Sequence, residues 1–317
     1  MAIKYIPYYP TTLEGQAMLD NFVRTQRVLR YRDNDKVIER IERGMPLYEV
    51  EKQEIVGENP HNNTIIRGEC LSACAYLKEK GIKVDLVYID PPFASGADYA
   101  KKVYLRRNPK VAEAIKQAET EIDSDEIRSF EEKMYGDVWD KERYLNWMYE
   151  NLIAIKSVMS ETASIYVHLD WHIGHYVKIL MDEIFGEDNF INEIVWCYTG
   201  PGSPGMQQFS RKHDTIFWYS KDKEWIFNEN NARIPYKDPN QSFRSAFDSS
   251  GGGWTKEDLI KLREKGKVAE DWWEFPVAAR RKVDGLYRVD YATEKPFQIL
   301  ERIIKVSSNE GMLIADF

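Results

Sequence analysis

The sequence has 317 residues, of which 43% are hydrophobic and 30% are charged, and its formal net charge is −8 at pH 7. This composition predicts a soluble globular protein with a large core and room for an inserted module, and no apolar stretch is long enough to span a membrane. The N-terminus lacks the apolar run of a signal peptide. The three cysteines include no Cys-x-x-Cys pair and indicate a reducing, cytoplasmic environment rather than a disulfide frame or a zinc ribbon.

The N-terminal part of the chain predicts an extension followed by an α/β pattern. Residues 1–60 are polar and charged, with amphipathic helical stretches near 13–30 and 34–44, and we expect them to pack on the main domain. From Thr64 the pattern alternates. It predicts a short strand at 64–67, a helix at 69–80 that ends at Gly81, and an apolar strand at 84–89.

The segment Asp90-Pro91-Pro92-Phe93 directly follows the apolar strand. It places a carboxylate, two rigid residues and an aromatic ring at the carboxyl end of a strand, which is where open α/β sheets bind ligands. Because proline fixes φ and has no N–H, the local carbonyls and the Asp90 carboxylate form a preorganised set of acceptors. Such a set suits a planar group that carries an amine, and an ordinary strand-to-turn junction is the structural alternative.

Charge is distributed unevenly behind this turn. Residues 101–110 hold five basic side chains and no acidic one, whereas acidic residues dominate 113–142. The position of the basic run beside the predicted site indicates a local nucleic-acid surface, and a solvated helix face is the alternative.

The rest of the chain continues the α/β pattern, with one interruption. The sequence predicts helices at 141–159 and 173–185 and strands at 163–169 and 190–196, and strands separated by helices imply parallel pairing with both sheet faces covered. Residues 199–292 contain glycine-rich loops, aromatic residues and scattered Lys and Arg, which predict a separate, less regular module. The predicted fold class is therefore α/β, a mostly parallel, doubly wound sheet with an inserted module.

The pattern resumes with a helix from Lys295 and a strand at 312–317, where the sequence stops. A parallel strand normally leads into a crossover that covers the sheet. We therefore expect the sheet to be incomplete at the C-terminus and the chain to be the N-terminal part of a longer natural protein.

Several segments occur in a characteristic order: RGECL (67–71), the strand and turn at 84–93, IYVHLD (165–170), LMDEIFGEDNF (180–190), EIVW (193–196) and EKP (294–296). This ordered set resembles the bacterial DNA amino-methyltransferases of the N6-adenine/N4-cytosine class. The chain is most similar to their permuted β group, in which the catalytic motif precedes the cofactor motif.

The resemblance implies a Rossmann-like methyltransferase sheet that uses S-adenosylmethionine. It divides the chain into an N-terminal extension (1–60), a catalytic part (61–198), a target-recognition module (199–292) and the start of a cofactor-binding part (293–317). In the family the last strand continues into a glycine-rich loop, Asp-x-Phe-x-Gly-x-Gly-Thr, and only glycine lets a backbone approach a ligand so closely. This chain supplies Asp316 and Phe317 of that loop, so we expect the isolated chain to be inactive.

The resemblance also implies roles for individual residues. Asp90 and Pro91 would accept the hydrogens of the target amino group, next to Pro92, and Phe93 would stack on the flipped base. Asp170 would line the pocket. The implied cofactor-binding residues are Glu69, Cys70, Lys295, Pro296, Asp316 and Phe317.

The implied partner is double-stranded DNA, together with a second copy of the chain or a restriction subunit, and no membrane. The candidate DNA contacts are Lys101, Lys102, Arg106, Arg107, Arg211, Lys212, Arg280 and Arg281. His168, His172 and His175 suggest a metal site, but no ligand pattern of known spacing is complete, so we predict no metal.

Adenine N6 methylation of duplex DNA is the function that the resemblance favours. Cytosine N4 methylation is the nearest alternative, and that group more often has Ser where Asp90 stands. A non-catalytic DNA-binding subunit, which needs a partner to complete the cofactor site, is an alternative of another class.

Overall fold

The computed structural model describes residues 3–9, 37–51, 63–91, 141–200, 207–237, 255–277 and 294–317. These residues form the strands β1 (Lys4–Ile6), β2 (Met45–Leu47), β3 (Val84–Ile89), β4 (Met159–Leu169), β5 (Phe190–Cys197), β6 (His213–Ser220), β7 (Arg233–Ile234), β8 (Lys267–Val268), β9 (Trp272–Glu274) and β10 (Ile314–Asp316). They also form the helices α1 (Val37–Arg43), α2 (Cys70–Glu79), α3 (Lys141–Val158), α4 (Gly174–Phe185), α5 (Lys256–Lys265) and α6 (Phe297–Ser307). None of these described helices is long and apolar enough to cross a membrane.

Six strands form the central sheet in the order β10-β3-β4-β6-β5-β9. The pairs β10–β3, β3–β4 and β5–β9 are parallel, whereas β6 runs antiparallel to both β4 and β5. The prediction of an α/β fold with a mostly parallel sheet is confirmed. The expectation of parallel pairing is wrong for β4 with β5, because β6 lies between these two strands and runs antiparallel to both.

Helices cover the sheet on both faces. Side chains alternate between the two faces of a strand, so Val87 and Val167 join one core with α2, α3 and α4. Leu86 and Tyr166 join the other core with α6. Asp90 continues the alternation onto the α6 face, and the position of α6 therefore decides which groups lie near it.

The described part of the N-terminal 60 residues packs on the α3 side of the sheet. β1 and β2 form an antiparallel pair, and Ile6 and Met45 are buried in the same core as α3. On α3, the buried Glu150 accepts hydrogen bonds from Arg40 Nε (2.9 Å) and the Tyr8 hydroxyl (3.3 Å). This carboxylate therefore ties two separate pieces of the extension to the helix.

Most of the predicted elements lie within a few residues of their observed positions, and two regions differ. Residues 64–67 pair with no described strand, and Ile65 is 97% exposed. β-branched residues favour a strand only where neighbours can bury them, so this strand prediction is wrong. Residues 213–220, which the sequence places in the recognition module, form β6 inside the central sheet, because Ile216 and Phe217 bury opposite faces in its two cores.

Candidate active site

Asp90 and Pro91 lie immediately beyond the carboxyl end of β3, beside the carboxyl end of β4. The register pairs Ile89 with Val167. The Asp90 side chain is 25% exposed, and Pro91 is buried. The predicted acceptor turn therefore begins at the ligand-binding edge of the sheet, while Pro92 and Phe93 lie outside the described residues.

The two oxygens of the Asp90 carboxylate have different surroundings. Oδ2 forms an ion pair and hydrogen bond with Lys295 Nζ. Oδ1 is buried and has no hydrogen-bond partner among the described residues. A buried acceptor without a partner costs about 1–3 kcal/mol. Oδ1 is therefore a candidate acceptor for a hydrogen bond from a ligand.

Lys295 reaches Asp90 from the start of α6. Pro296 is the N-cap of α6 (φ −59°, ψ 131°), and Ile299 and Ile303 bury the helix against the sheet. The sequence predicts Lys295 as a cofactor-side residue, and that role remains a prediction. Its contact with Asp90, 205 positions away, was not predicted, because no local pattern signals so distant a pair.

A second carboxylate lies close to this ion pair. β10 pairs with β3 so that Asp316 stands opposite Tyr88. Partial desolvation, and then the nearby Asp90 carboxylate, raise the pKa of Asp316 to about 6, while the Lys295 ammonium opposes the rise. Lys295 forms its ion pair with Asp90, so the added Asp316 carboxylate gives these three groups an excess of negative charge, which suits a cationic ligand.

Three other predicted cofactor residues, Glu69, Cys70 and Phe317, are among the described residues. Glu69 is the N-cap of α2, and its carbonyl accepts N–H groups from the first turn. Because α2 joins β3 through a short turn at Gly81 (φ +68°), the start of α2 points toward the carboxyl edge of the sheet. Cys70 and Phe317 are partly buried against the α3-side core. Their role in cofactor binding remains a prediction.

A chain of buried polar side chains extends from the Asp90 side of β3 across the sheet. The Tyr88 hydroxyl lies 2.7 Å from His168 Nδ1, and His168 Nε2 lies 3.2 Å from Asp214 Oδ2. The Tyr198 hydroxyl donates to Asp214 Oδ1 at 3.2 Å. Burial, and then the Asp90 carboxylate, raise the pKa of Tyr88. Tyr88 therefore stays protonated and can donate to His168, whose Nε2–H then donates to Asp214.

The hydrogen bonds of His168 with Tyr88 and Asp214 account for a histidine at this buried position. The sequence suggests His168 only as a metal ligand, because the position of Asp214 next to it depends on the antiparallel pairing of β4 with β6. Within the described ranges, no group of three His, Cys, Asp or Glu side chains is placed to hold a metal ion.

Asp170 organises the turn that follows β4. Its Oδ1 accepts the backbone N–H of His172 at 2.9 Å, and its Oδ2 pairs with His172 Nδ1. Burial, and then the carboxylates of Asp170 and Asp90, raise the pKa of Tyr144. Asp170 directly follows β4, and because Ile89 pairs with Val167 it lies at the same edge of the sheet as Asp90.

Arg211 stacks on the same turn. Its guanidinium carbon lies 3.7 Å from the centre of the Trp171 ring, and the Trp171 and His172 ring centres are 3.7 Å apart. Lys212 follows at the start of β6, where its carbonyl accepts the Tyr198 N–H at 3.0 Å. The other predicted DNA contacts lie outside the described residues: Lys101, Lys102, Arg106, Arg107, Arg280 and Arg281.

Known proteins resemble the chain over most of its length. The type II methyltransferase M.EcaI of Enterobacter cloacae is 24% identical over an alignment of 306 positions, and the match covers 80% of this chain and 61% of the relative. The Mod subunit of the type III restriction-modification enzyme StyLTI of Salmonella typhimurium is 23% identical over an alignment of 253 positions, and the match covers 74% of this chain and 37% of the relative. The solved structure of the M1.HpyAVI–SAM complex matches 79% of this chain and 80% of that chain, at 12% identity and a TM-score of 0.38.

The chain thus spans less than two thirds of the length of both relatives named above. The family model for N6/N4 methyltransferases, described as DNA methylase, matches residues 84–317, which is well over half of the sequence. That range includes β3, the Asp90 turn, Lys295 and Asp316. The chain belongs to the DNA methylase family of N6-adenine and N4-cytosine methyltransferases.

Proposed function

We propose that the chain carries the target-base site of an enzyme that transfers a methyl group from S-adenosylmethionine to the N6 amino group of adenine in duplex DNA. Family membership supports the methylation of DNA. The single observation that carries the proposal is the Asp90 carboxylate, with one oxygen held by Lys295 and the other buried without a partner among the described residues.

The proposed chemistry depends on hydrogen-bond acceptors. The lone pair of the adenine amino nitrogen is delocalised into the ring, so the nitrogen is a weak nucleophile. Asp90 Oδ1 and the Pro91 carbonyl accept its two hydrogens and shift electron density onto the nitrogen. Lys295 holds Oδ2 and thereby orients the carboxylate, so the chain contributes positioning and electrostatics rather than a covalent step.

The described residues fit a cationic methyl donor. When bound, S-adenosylmethionine supplies a methyl group on a positively charged sulfur. The two negative charges of Asp90 and Asp316 outnumber the single positive charge of Lys295, and this excess of negative charge suits the positively charged sulfur. The residues that would hold the donor are Glu69, Cys70, Lys295, Pro296, Asp316 and Phe317.

The target base must leave the double helix to reach this site, because its amino group is inaccessible inside a duplex. Phe93 would stack on the flipped base, and such a stack contributes about 1–3 kcal/mol. Pro92 would fix the distance between that ring and the Asp90 acceptors, since its φ is locked.

Cytosine N4 is the second candidate acceptor, because its amino group presents the same two hydrogens. Asp90 favours adenine, since the cytosine group more often has Ser at the corresponding position. The likeness to a type III Mod subunit supports a restriction subunit as a partner. A non-catalytic DNA-binding subunit would also need a partner, in its case to complete the cofactor site.

The test is methyl transfer by the natural protein that carries this sequence. With S-adenosylmethionine labelled in its methyl group and duplex DNA, we expect N6-methyladenine in the hydrolysed product. Asp90→Ala should lower the turnover rate by a factor of about 10²–10³ or more and leave DNA binding largely intact. Asp188→Ala, which removes an exposed carboxylate before β5, is the matched control and should keep full activity.

The identity of the methylated base in the product separates the alternatives. N4-methylcytosine in the hydrolysed DNA would show that cytosine, rather than adenine, is the target. DNA binding without any transfer would favour the non-catalytic subunit, and full activity of Asp90→Ala would refute the role given to this carboxylate.

A further inference from the structure

An exposed stack of planar groups lies beside the candidate site, and we call it the Arg211 stack. In this stack the Arg211 guanidinium lies over the Trp171 ring, the Trp171 ring lies against the His172 ring, and the His172 imidazole pairs with the Asp170 carboxylate. Trp171 is 43% exposed, and both Arg211 and His172 lie against its ring, so the stack is accessible from solvent.

The guanidinium of Arg211 is oriented without an acidic partner. Among the residues that the structure describes, it forms no ion pair, and its only hydrogen bond is a long one of 3.4 Å from Nη2 to Gln208 Oε1. Two acids close to the stack in the sequence are already engaged: Asp170 binds His172, and Asp214 binds His168 and Tyr198. The planar fork of Arg211 is therefore available to bind an anion from outside the chain.

The stack supplies what a phosphate-binding arginine needs. A guanidinium presents two parallel N–H groups that match a phosphate bidentately, and its strength depends on how well the fork is oriented. An arginine side chain loses up to about 2 kcal/mol of conformational freedom when it is immobilised. Stacking on Trp171 restricts Arg211 before any ligand arrives and so reduces that cost at the moment of binding.

The location of the stack identifies the phosphate. Leu169 pairs with Thr215, so the turn after β4 and the start of β6 meet at the same edge of the sheet as Asp90. A nucleotide whose base enters at Asp90 brings its own flanking phosphates to this rim. Arg211 is also followed by Lys212, which adds a second positive charge in a chain whose net charge is −8.

We propose that Arg211 binds a backbone phosphate that flanks the flipped nucleotide, and that Trp171 and His172 are positioning residues that align its guanidinium. The inference rests on the proposed function, because it takes the Asp90 turn as the pocket of the flipped base. A phosphate contact, unlike a contact with a guanine edge, fixes register and carries no sequence information.

Salt dependence tests the phosphate contact directly. Each phosphate neutralised contributes about 0.9 to the slope of log K against log salt concentration. We expect Arg211→Gln in the natural protein to lower that slope by about 0.9 on DNA that contains the target site, where the nucleotide is flipped. Lys223→Gln, which removes an exposed cation at the opposite edge of the sheet, is the matched control and should leave the slope unchanged.

Two further variants test the positioning role. Trp171→Ala keeps the charge of Arg211, so the slope should stay near the wild-type value while the dissociation constant rises about three- to tenfold, which corresponds to about 0.7–1.4 kcal/mol. Trp171→Phe retains a ring and should recover most of that loss. An unchanged dissociation constant for Trp171→Ala would overturn the positioning role.

Chemically neutral phosphates locate the contact. A methylphosphonate at one position flanking the target adenine should weaken binding by the wild-type protein and have little further effect on Arg211→Gln. Additive losses, or an unchanged salt slope for Arg211→Gln on DNA with the target site, would overturn the phosphate contact. The absence of methyl transfer by the wild-type protein would instead refute the proposed function, and the two failures are therefore distinguishable.

Discussion

The ion pair between Asp90 and Lys295 is expected to stabilise the fold as well as orient the carboxylate. Two unit charges about 4 Å apart attract by about 4 kcal/mol at an effective dielectric of 20 and by about 1 kcal/mol in bulk water. The side chains of Lys295 and Asp90 are 13% and 25% exposed, which places the pair between these limits. We therefore expect a coupling free energy of about 1–3 kcal/mol.

The measurement is a double-mutant cycle on the free energy of unfolding. Urea unfolding of the purified protein, of Asp90→Asn, of Lys295→Met and of the double variant gives the coupling energy. Lys295→Met should be the more destabilising single change, because it leaves the carboxylates of Asp90 and Asp316 next to each other without a cation.

The same helix offers a control pair. Glu301 and Lys305 form an i,i+4 ion pair at 2.7 Å with side chains 39% and 60% exposed, and such pairs are worth about 0.3–0.5 kcal/mol. If the coupling of Asp90 with Lys295 is no larger than that of this control pair, the mostly buried pair has no special role in the stability of the fold, and the reasoning from its burial is refuted.

Two further predictions concern stability elsewhere. Asp316→Asn should raise the melting temperature at pH 7.5 and change it little at pH 4. Because the pKa of Asp316 is raised to about 6, the folded state disfavours the charged carboxylate, and stability is lost as pH rises from about 4 to 6. A larger gain at pH 4 than at pH 7.5 in scanning calorimetry would contradict this sign. Gly44→Ala should destabilise by about 1–3 kcal/mol, because Gly44 has φ +90° and a Cβ there would collide with the Ile6 carbonyl. Gly68→Ala, where a Cβ meets nothing, is its control in urea unfolding.

The position of the Asp90 turn could be predicted from the sequence because the information is local. The apolar run at 84–89 is buried on both faces in the structure, as a central parallel strand requires. The first polar residue after such a run marks the edge of the sheet; the strand is confirmed, and the role of Asp90 as a site residue stays a prediction. The helices α2, α3, α4 and α6 were similarly predicted from apolar spacing and terminal residues.

The order of the strands could not be predicted in the same way. An apolar run predicts a buried strand but says nothing about its neighbours, so β6 was assigned to a separate module although it separates β4 from β5. The contact of Lys295 with Asp90 and the chain from Tyr88 to Asp214 depend on that order. These long-range contacts follow from the packing of α6 and the direction of β6, and neither has a local signature.

The two polar systems on the α6 face of the sheet differ in a way that bears on catalysis. In the hydrogen-bonded chain, Tyr88, His168 and Asp214 each have a partner, and a network whose members are paired is rigid. Lys295 binds one oxygen of Asp90, and the other oxygen has no hydrogen-bond partner among the described residues. A group that must accept a hydrogen bond from a substrate has to be fixed in place and still lack one partner. The paired chain fixes Tyr88 two residues before Asp90, so its rigidity supports the position of the Asp90 carboxylate, whose Oδ1 has no partner among the described residues.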